Sequence, residues 1–215
     1  MSFFEQFDNE WGKRLNLRRD TFRLAFDYLA KKRPTGHFIV ETGCARKADN
    51  WEGDGQSTIL FDRFATAYQG EVRSVDIDSK ACEHARSLVG PRCQVFNEDS
   101  VPFLGRLARE LLAAGRSIDL LYLDSYDFDA NNPVPSAVHH LKELCAIAPA
   151  LSPGTLVMVD DSYRALCGMR TNPQSYHIVN DLGIGGKAKY VGEYFQQIGV
   201  PIAFEGYQCG WIIPA

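Results

Sequence analysis

The stretch Ile118-Asp-Leu-Leu-Tyr-Leu-Asp124 is a short apolar run that ends in a carboxylate, and Thr155-Leu-Val-Met-Val-Asp160 follows the same pattern. Such runs are typical of central strands in a parallel sheet, because helices cover both faces of that sheet and bury every strand residue. We therefore expect both runs to form buried strands that lie side by side.

Strand-like and helix-like patterns alternate on either side of these two runs. Shorter apolar strands are predicted at 37–43, 72–76 and 93–97, and a helix with one apolar face is predicted after each strand. Five such units predict a doubly wound α/β fold, in which helices cover both faces of a mostly parallel sheet.

The C-terminal part of the chain departs from this alternation. An irregular stretch at 162–186 precedes one more helix, and 200–213 has the pattern of two strands joined by a tight turn around Gly206. These strands bring the predicted sheet to seven strands and end it in an antiparallel hairpin. The chain 1–215 is therefore predicted to be one domain with a Rossmann-like core at 37–213.

The N-terminal part, 1–34, is predicted as a helical extension of that core. Phe3, Phe4, Phe7 and Trp11 form an apolar stripe at helical spacing. We expect this stripe to pack on the domain or on a second copy of the chain, so a homo-oligomer formed through this helix is one expectation.

Composition excludes several classes of protein. Hydrophobic residues make up 45% of the 215 residues and charged residues 23%, as in ordinary globular proteins, and the net charge of -4 gives no basic field for nucleic acid. The start of the chain does not resemble a signal peptide, and no apolar run is long enough for a membrane helix. Six scattered cysteines without a C-x-x-C pair fit neither a zinc ribbon nor a disulfide framework. A cytoplasmic protein is expected.

Acidic residues follow nearly every predicted strand. The ends carry Glu41-Thr-Gly43, Asp76, Asp99-Ser100, Asp124 and Asp160-Asp161. Ligands bind outside the carboxyl ends of strands in open α/β sheets, so these side chains are candidates for a binding site. Any one of them could instead cap a helix or stabilise a turn, but capping alone is a poor explanation for all five.

The first two strand ends suggest a nucleoside ligand. Gly43 permits close approach of a ligand to the backbone, and a carboxylate such as Asp76 at the end of the second strand can hold ribose hydroxyls. A nicotinamide-dependent oxidoreductase would share these features. It would also need G-x-G-x-x-G after the first strand, and the segment 43–58 lacks that pattern.

With these motifs in this order, the sequence resembles the class I S-adenosylmethionine (SAM)-dependent methyltransferases over about 37–213. Glu41-Thr-Gly43 followed by Gly55-Gln-Ser-Thr58 is similar to their first motif, interrupted by extra residues. The resemblance implies that Asp76 holds the ribose and that Asp99-Ser100 lies at the adenine. It gives a set of cofactor-binding residues: Glu41, Gly43, Ser57, Asp76, Asp99, Ser100 and Asp124.

Three of the acidic residues suggest a metal site. Asp124, Asp160 and Asp161 bring hard oxygen donors to adjacent strand ends, which suits Mg²⁺ or a similar divalent cation. This arrangement resembles the metal-dependent O-methyltransferases of the catechol and macrolide-sugar types, which methylate a hydroxyl of a small molecule. Alternatively, Asp160-Asp161 caps a turn and Asp124 contacts only the cofactor.

In those two families the catalytic base lies three residues after the metal ligand of the fourth strand, where this chain has Asp127 in place of Lys or His. Asp127 could instead be a further metal or substrate contact. His139 is a second candidate for the base, with a helix-surface histidine as its alternative, and His177 is a weaker third. The predicted catalytic group is Asp124, Asp127 and His139.

Four segments remain for recognition of the acceptor: the N-terminal helix, 43–56, 126–135 and 162–186. Gly183-Ile-Gly-Gly-Lys187 is interpreted as a flexible hinge and Arg18-Arg19 as part of a solvated helix face. A catalytically silent cofactor-binding protein on a methyltransferase fold is the remaining alternative.

Overall fold

A computed structural model describes the backbone at 1–172 and 175–215, and the side chains of those residues except at 165–171 and 175–182. The seven predicted strands form in the predicted order, and two further strands lie in the stretch predicted to be irregular. The strands are β1 Phe38–Thr42, β2 Glu71–Asp76, β3 Cys93–Asn97, β4 Leu120–Leu123, β5 Leu156–Val159, β6 Arg164–Asn172, β7 Ser175–Ile184, β8 Ile202–Phe204 and β9 Cys209–Ile212.

The main sheet has seven strands in the order β3-β2-β1-β4-β5-β9-β8. The first five are parallel, β9 pairs antiparallel with β5, and β8 pairs antiparallel with β9. The prediction of a doubly wound, mostly parallel seven-stranded sheet with an antiparallel C-terminal hairpin is confirmed.

Helices cover both faces of this sheet. They are α1 Phe3–Gln6, α2 Arg19–Lys32, α3 Ser57–Ala67, α4 Ser79–Leu88, α5 Ser100–Ala114, α6 Val134–Ile147 and α7 Lys189–Gln197. Asp78 and Asp99 cap the helices that follow β2 and β3, because their carboxylates accept the N–H groups of Lys80 at 2.8 Å and Val101 at 2.9 Å. Within the described part of the chain, no helix is long and apolar enough to cross a bilayer.

The alternation of side chains along β4 divides the core in two. Leu120 and Tyr122 belong to the cluster under α2 and α3, and Leu121 and Leu123 belong to the cluster under α5, α6 and α7. All four side chains are fully buried. Burial on both faces is the reason why the run 118–123 has no polar alternation.

The N-terminal stripe packs inside its own chain. Phe3, Phe7 and Trp11 are buried in the first core cluster, with the rings of Phe3 and Phe26 4.9 Å apart and edge-on. The chain is helical here in short pieces, α1 followed by a π-helical stretch Phe7–Trp11 and the 3-10 turns Gly12–Arg14 and Asn16–Arg18. Phe4, the fourth member of the stripe, is partly buried and packs against the same cluster.

The prediction of an irregular stretch at 162–186 is wrong. Strands β6 and β7 form a separate two-stranded antiparallel sheet that occupies most of it. Register shifts interrupt the pairing at Arg164/Leu166, Cys167/Gly168 and Arg170/Asn172. Because these strands lie outside the main sheet, they are not central strands covered on both faces. The segment 162–186 therefore lacks the continuous apolar run that predicts such a strand.

Candidate active site

The carboxyl ends of β1 and β4 meet closely because residue 43 is a glycine. Gly43 has a φ of +80°, and a Cβ there would lie 2.5 Å from the carbonyl oxygen of Asp124. Its N–H donates to the carbonyl oxygen of Val75 at 2.8 Å, which ties it to β2 as well. Strand order reverses between β1 and β4, so this is the switch point at which open α/β sheets form a ligand crevice.

A cavity of about 370 Å³ opens at this point. A smaller one of about 80 Å³ continues past Asp76 toward the end of β3. Of the predicted cofactor residues, the larger cavity is lined by Gly43, Ser57, Asp76 and Asp124. The smaller is lined by Asp76, Asp99 and Ser100. A wider depression of about 440 Å³ lies at the opposite end of the strands, near His37 and Arg92, away from all of these residues.

Asp76 is held in place by the backbone around it. Its Oδ2 accepts the N–H of Cys44 at 3.0 Å and its Oδ1 accepts the N–H of Asp78 at 2.8 Å. The side chain lines both cavities. A fixed carboxylate with free acceptor capacity at the junction of two cavities can receive a pair of vicinal hydroxyls.

Glu41 does not line either cavity. It is fully buried and accepts hydrogen bonds from Ser57 Oγ at 2.6 Å and Ser74 Oγ at 2.5 Å. Burial raises the pKa of Glu41 to about 7, although the serine hydroxyls oppose the shift. The side chain anchors the first residue of α3 beneath the cavity, so its effect on a cofactor is indirect.

Asp124, Asp160 and Asp161 converge as a group, which we call the acidic cluster. One carboxylate oxygen from each lies within 4.8 Å of the others. Asp160 is fully buried. Asp124 also lines the 370 Å³ cavity, so the cluster adjoins the cavity directly.

Two cationic side chains enter the acidic cluster. Lys187 Nζ lies 2.5 Å from Asp124 Oδ1 and 2.9 Å from Asp161 Oδ2. Arg18 donates to Asp160 through Nη2 at 2.7 Å and Nε at 3.0 Å. Burial lowers the pKa of Lys187, but the surrounding carboxylates outweigh it and raise that pKa, so the ammonium stays charged.

Sequence reasoning missed both cations, and the interpretations given to them are wrong. Lys187 is 1% exposed and Arg18 is 6% exposed, so neither belongs to a flexible hinge or a solvated face. Gly186, with a φ of +61°, brings Lys187 onto the fifth strand end, because a Cβ there would lie 2.0 Å from the carbonyl oxygen of Asp161. The side chain of Arg18 passes beside Gly55 and donates from Nη1 to the carbonyl oxygen of Glu52 at 3.0 Å.

The acidic cluster does not fit a resident divalent cation in this arrangement. Lys187 and Arg18 already contact all three carboxylates, and Asp160 also accepts a hydrogen bond from Gln208 Nε2 at 2.7 Å. An added ion would need donor oxygens that these groups use, and would lie beside an ammonium of like charge. The three carboxylates of the expected Mg²⁺ site are thus paired, in this arrangement, with two cations of the chain itself.

Neither candidate base is a member of the acidic cluster. Asp127, whose side chain is 71% exposed, accepts hydrogen bonds from Arg46 Nη1 at 2.7 Å and 3.0 Å at the rim of the larger cavity. His139 Nε2 lies 3.1 Å from Ser100 Oγ, in the smaller cavity on the predicted adenine side. The side chain of His177 lies outside the described residues.

Glu143 is a further buried carboxylate that sequence reasoning missed. It accepts hydrogen bonds from Ser125 Oγ at 2.6 Å and Thr42 Oγ1 at 3.1 Å, and so links α6 to the ends of β4 and β1. Burial would raise its pKa, but hydrogen bonds and the neighbouring His139 and His140 lower it. A glutamate in a helix resembles an ordinary surface charge, so the sequence carries no signal of this role.

Solved structures share this fold. A computed comparison aligns the chain with MycE methyltransferase from the mycinamycin biosynthetic pathway, in complex with Mg, SAH and mycinamycin VI, at a TM-score of 0.57 and 16% identity. The match covers 94% of this chain and 54% of that one, so the chain spans about half the length of MycE.

A second structure, an S-adenosyl-L-methionine methyltransferase from Silicibacter pomeroyi DSS-3, matches at a TM-score of 0.48 and 13% identity, over 93% of both chains. No protein-family model and no curated protein matches the sequence. The chain has the fold of the class I SAM-dependent methyltransferases.

Proposed function

We propose that this chain is a SAM-dependent methyltransferase that methylates a hydroxyl group of a small molecule. The observation that carries the proposal is the pair of neighbouring cavities at the switch point. Asp76 lines both cavities, and Asp124 lines the larger one and belongs to the acidic cluster. A nucleoside would lie along this path, with ribose at Asp76 and adenine between Asp99 and Ser100.

The shape of the first loop supports SAM over a dinucleotide. SAM carries no phosphate. The segment between β1 and α3 lines the cavity with Gly43, Cys44, Arg46 and Asp54, and it lacks the glycine-rich loop that binds a pyrophosphate. Arg46 at the cavity rim is a suitable partner for the carboxylate of a methionine moiety, because guanidinium binds carboxylates in a bidentate manner. In the structure it pairs with Asp127.

The acceptor would approach from the side of the acidic cluster. An open cavity of about 730 Å³ lies there, lined by Leu17, Tyr163, Arg164, Tyr207 and their neighbours. The N-terminal segment, the start of β6 and the turn between β8 and β9 all contribute to it. Methyl transfer needs the acceptor oxygen in line with the sulfonium and methyl group. We expect Asp124, which belongs to both the cofactor cavity and the acidic cluster, to orient that hydroxyl.

The first test of this proposal measures cofactor binding by isothermal titration calorimetry. We expect S-adenosylhomocysteine to bind the wild-type protein and NAD⁺ not to bind. Asp76→Asn removes the charge that holds the ribose, so we expect at least about a tenfold loss of affinity, since a charged hydrogen bond contributes about 1.5–3 kcal/mol.

Asp78→Asn is the matched control, because Asp78 lines the same cavity and asparagine caps α4 equally well. Equal affinities for the wild-type protein and Asp76→Asn would contradict the assignment of the ribose site. Binding of NAD⁺ in place of S-adenosylhomocysteine would contradict the proposed function itself.

A further inference from the structure

Lys187 bridges two carboxylates of the acidic cluster. Its Nζ lies within hydrogen-bond distance of both Asp124 Oδ1 and Asp161 Oδ2, at 2.5 Å and 2.9 Å. The two oxygens lie at neighbouring strand ends, one directly after β4 and the other two residues after the end of β5. A single ammonium therefore performs the charge-bridging part of a metal ion's role.

The backbone around Lys187 is built to deliver it there. Gly186 adopts a left-handed conformation against the carbonyl oxygen of Asp161, and the Lys187 N–H donates to that same oxygen at 3.2 Å. Asp161 itself has a φ of +43°, which is uncommon for a residue with a side chain. A left-handed glycine on one side of this contact and a left-handed aspartate on the other indicate that the fold specifies the position of this lysine.

The remaining members of the acidic cluster are also satisfied without a metal. Asp160 has Arg18 and Gln208 as donors, and Tyr207 Oη donates to Asp161 Oδ1 at 2.5 Å. The guanidinium of Arg18 lies over the ring of Tyr207, 4.5 Å from its centroid. Each carboxylate therefore has an internal donor.

We propose that Lys187 is a built-in cation that replaces a divalent metal in this site, so that methyl transfer by this chain needs no metal ion. Its role in methyl transfer rests on the function proposed above. The exclusion of a metal rests only on the contacts of Lys187 and Arg18. With the hydroxyl of the acceptor beside Asp124, the ammonium of Lys187 lies next to the oxygen that gains the methyl group.

Removal of the ammonium charge should convert the acidic cluster into a metal site. Lys187→Met keeps an unbranched side chain one atom shorter and leaves three carboxylates against the single charge of Arg18, which a divalent ion would balance. We expect the wild-type protein to show no saturable Mn²⁺ binding below millimolar concentration by electron paramagnetic resonance. We expect Lys187→Met to bind Mn²⁺ at least about tenfold more tightly, because a like charge has been removed from the site.

Two variants serve as controls. Lys189→Met removes a charge from the exposed neighbour two residues on and should bind Mn²⁺ as weakly as the wild-type protein. Lys187→Arg keeps the charge and should also exclude Mn²⁺. In thermal unfolding, millimolar Mg²⁺ should raise the Tm of Lys187→Met and leave that of the wild-type protein unchanged.

Submillimolar Mn²⁺ binding by the wild-type protein would overturn the proposal, and this measurement decides it even where Lys187→Met fails to fold. Mn²⁺ affinity of Lys187→Met equal to that of the wild-type protein would also overturn it. Binding of S-adenosylhomocysteine by the same preparations is scored separately. A chain that excludes metal but binds no S-adenosylhomocysteine would contradict the proposed function and leave the role of Lys187 as internal cation intact.

Discussion

At the carboxyl ends of the strands, aspartates lie in two opposite environments. At the end of β2, Asp76 is fixed by two backbone N–H groups and remains open to a cavity. At the end of β5, Asp160 is fully buried and is fixed by a guanidinium and a side-chain amide. We call the site around Asp76 the open half, and the acidic cluster with its cations Arg18 and Lys187 the closed half.

The difference shows where the partners of a carboxylate come from. Backbone N–H groups near Asp76 are supplied by the adjacent turn and by the loop after β1. The partner of Asp160 is Arg18, 142 residues away in sequence, and the partner of Asp124 is Lys187, 63 residues away. A binding site needs acceptors that the protein leaves unsatisfied, so the open half is suited to a ligand and the closed half to an internal charge balance.

The largest effect is expected when the closed half loses Arg18. Arg18→Met would leave Asp160 buried without its cation, and breaking such a buried pair typically costs about 3–5 kcal/mol. We expect urea unfolding at neutral pH to show a loss of this size. Arg19→Met, at the exposed next residue, should change the free energy of unfolding by less than about 0.5 kcal/mol.

A second variant separates a charge effect from a packing effect. Adding Asp160→Asn to Arg18→Met should recover part of the lost stability, because no buried charge then remains unpaired. If Arg18→Met alone has the same free energy of unfolding as the wild-type protein, the ion pair between Arg18 and Asp160 does not stabilise the fold. The closed half would then not be held together by charge.

A smaller, pH-dependent effect is expected beneath the open half, at Glu41. Its pKa is raised from 4.5 to about 7 in the folded chain, so its contribution to stability is fully present below about pH 4.5 and is lost as the pH rises through 7. Glu41→Gln stays neutral and removes this loss. We expect the free energy of unfolding of the variant, relative to wild type, to rise between pH 4.5 and 8 by at most about 3 kcal/mol.

Glu143 provides a control of opposite sign for that measurement. Its pKa is lowered in the folded chain, so its contribution is present above the unfolded value and is lost as the pH falls. Glu143→Gln should therefore lose stability, relative to wild type, as the pH rises through the range where this carboxylate ionises. A Glu41→Gln curve parallel to that of the wild-type protein would show that the pKa of Glu41 is not raised in the folded chain.

The sequence predicts the open half better than the closed half for a physical reason. Strand ends, Gly43 and Asp76 are encoded by local patterns, because burial and turns leave a periodic signal. The positions of Lys187 and Arg18 depend on tertiary packing. An arginine on a helical segment and a lysine after two glycines have the same local pattern whether they lie in solvent or in a core. The convergence of three aspartates was foreseeable, but the cations that neutralise them were not.

The smallest effect is expected at Asp127, on the boundary between the two halves. Its ion pair with Arg46 is exposed, and exposed pairs contribute about 0–1 kcal/mol, so Asp127→Asn should scarcely change the urea midpoint. If Asp127 only holds Arg46 until the cofactor arrives, the variant should bind S-adenosylhomocysteine as tightly as wild type or more tightly, because Arg46 is released. If Asp127 is the base, methyl transfer to a hydroxyl should fall by about 10²-fold or more while binding stays unchanged. Calorimetry and a turnover assay on the same preparation distinguish the two roles, and loss of binding in Asp127→Asn would contradict both.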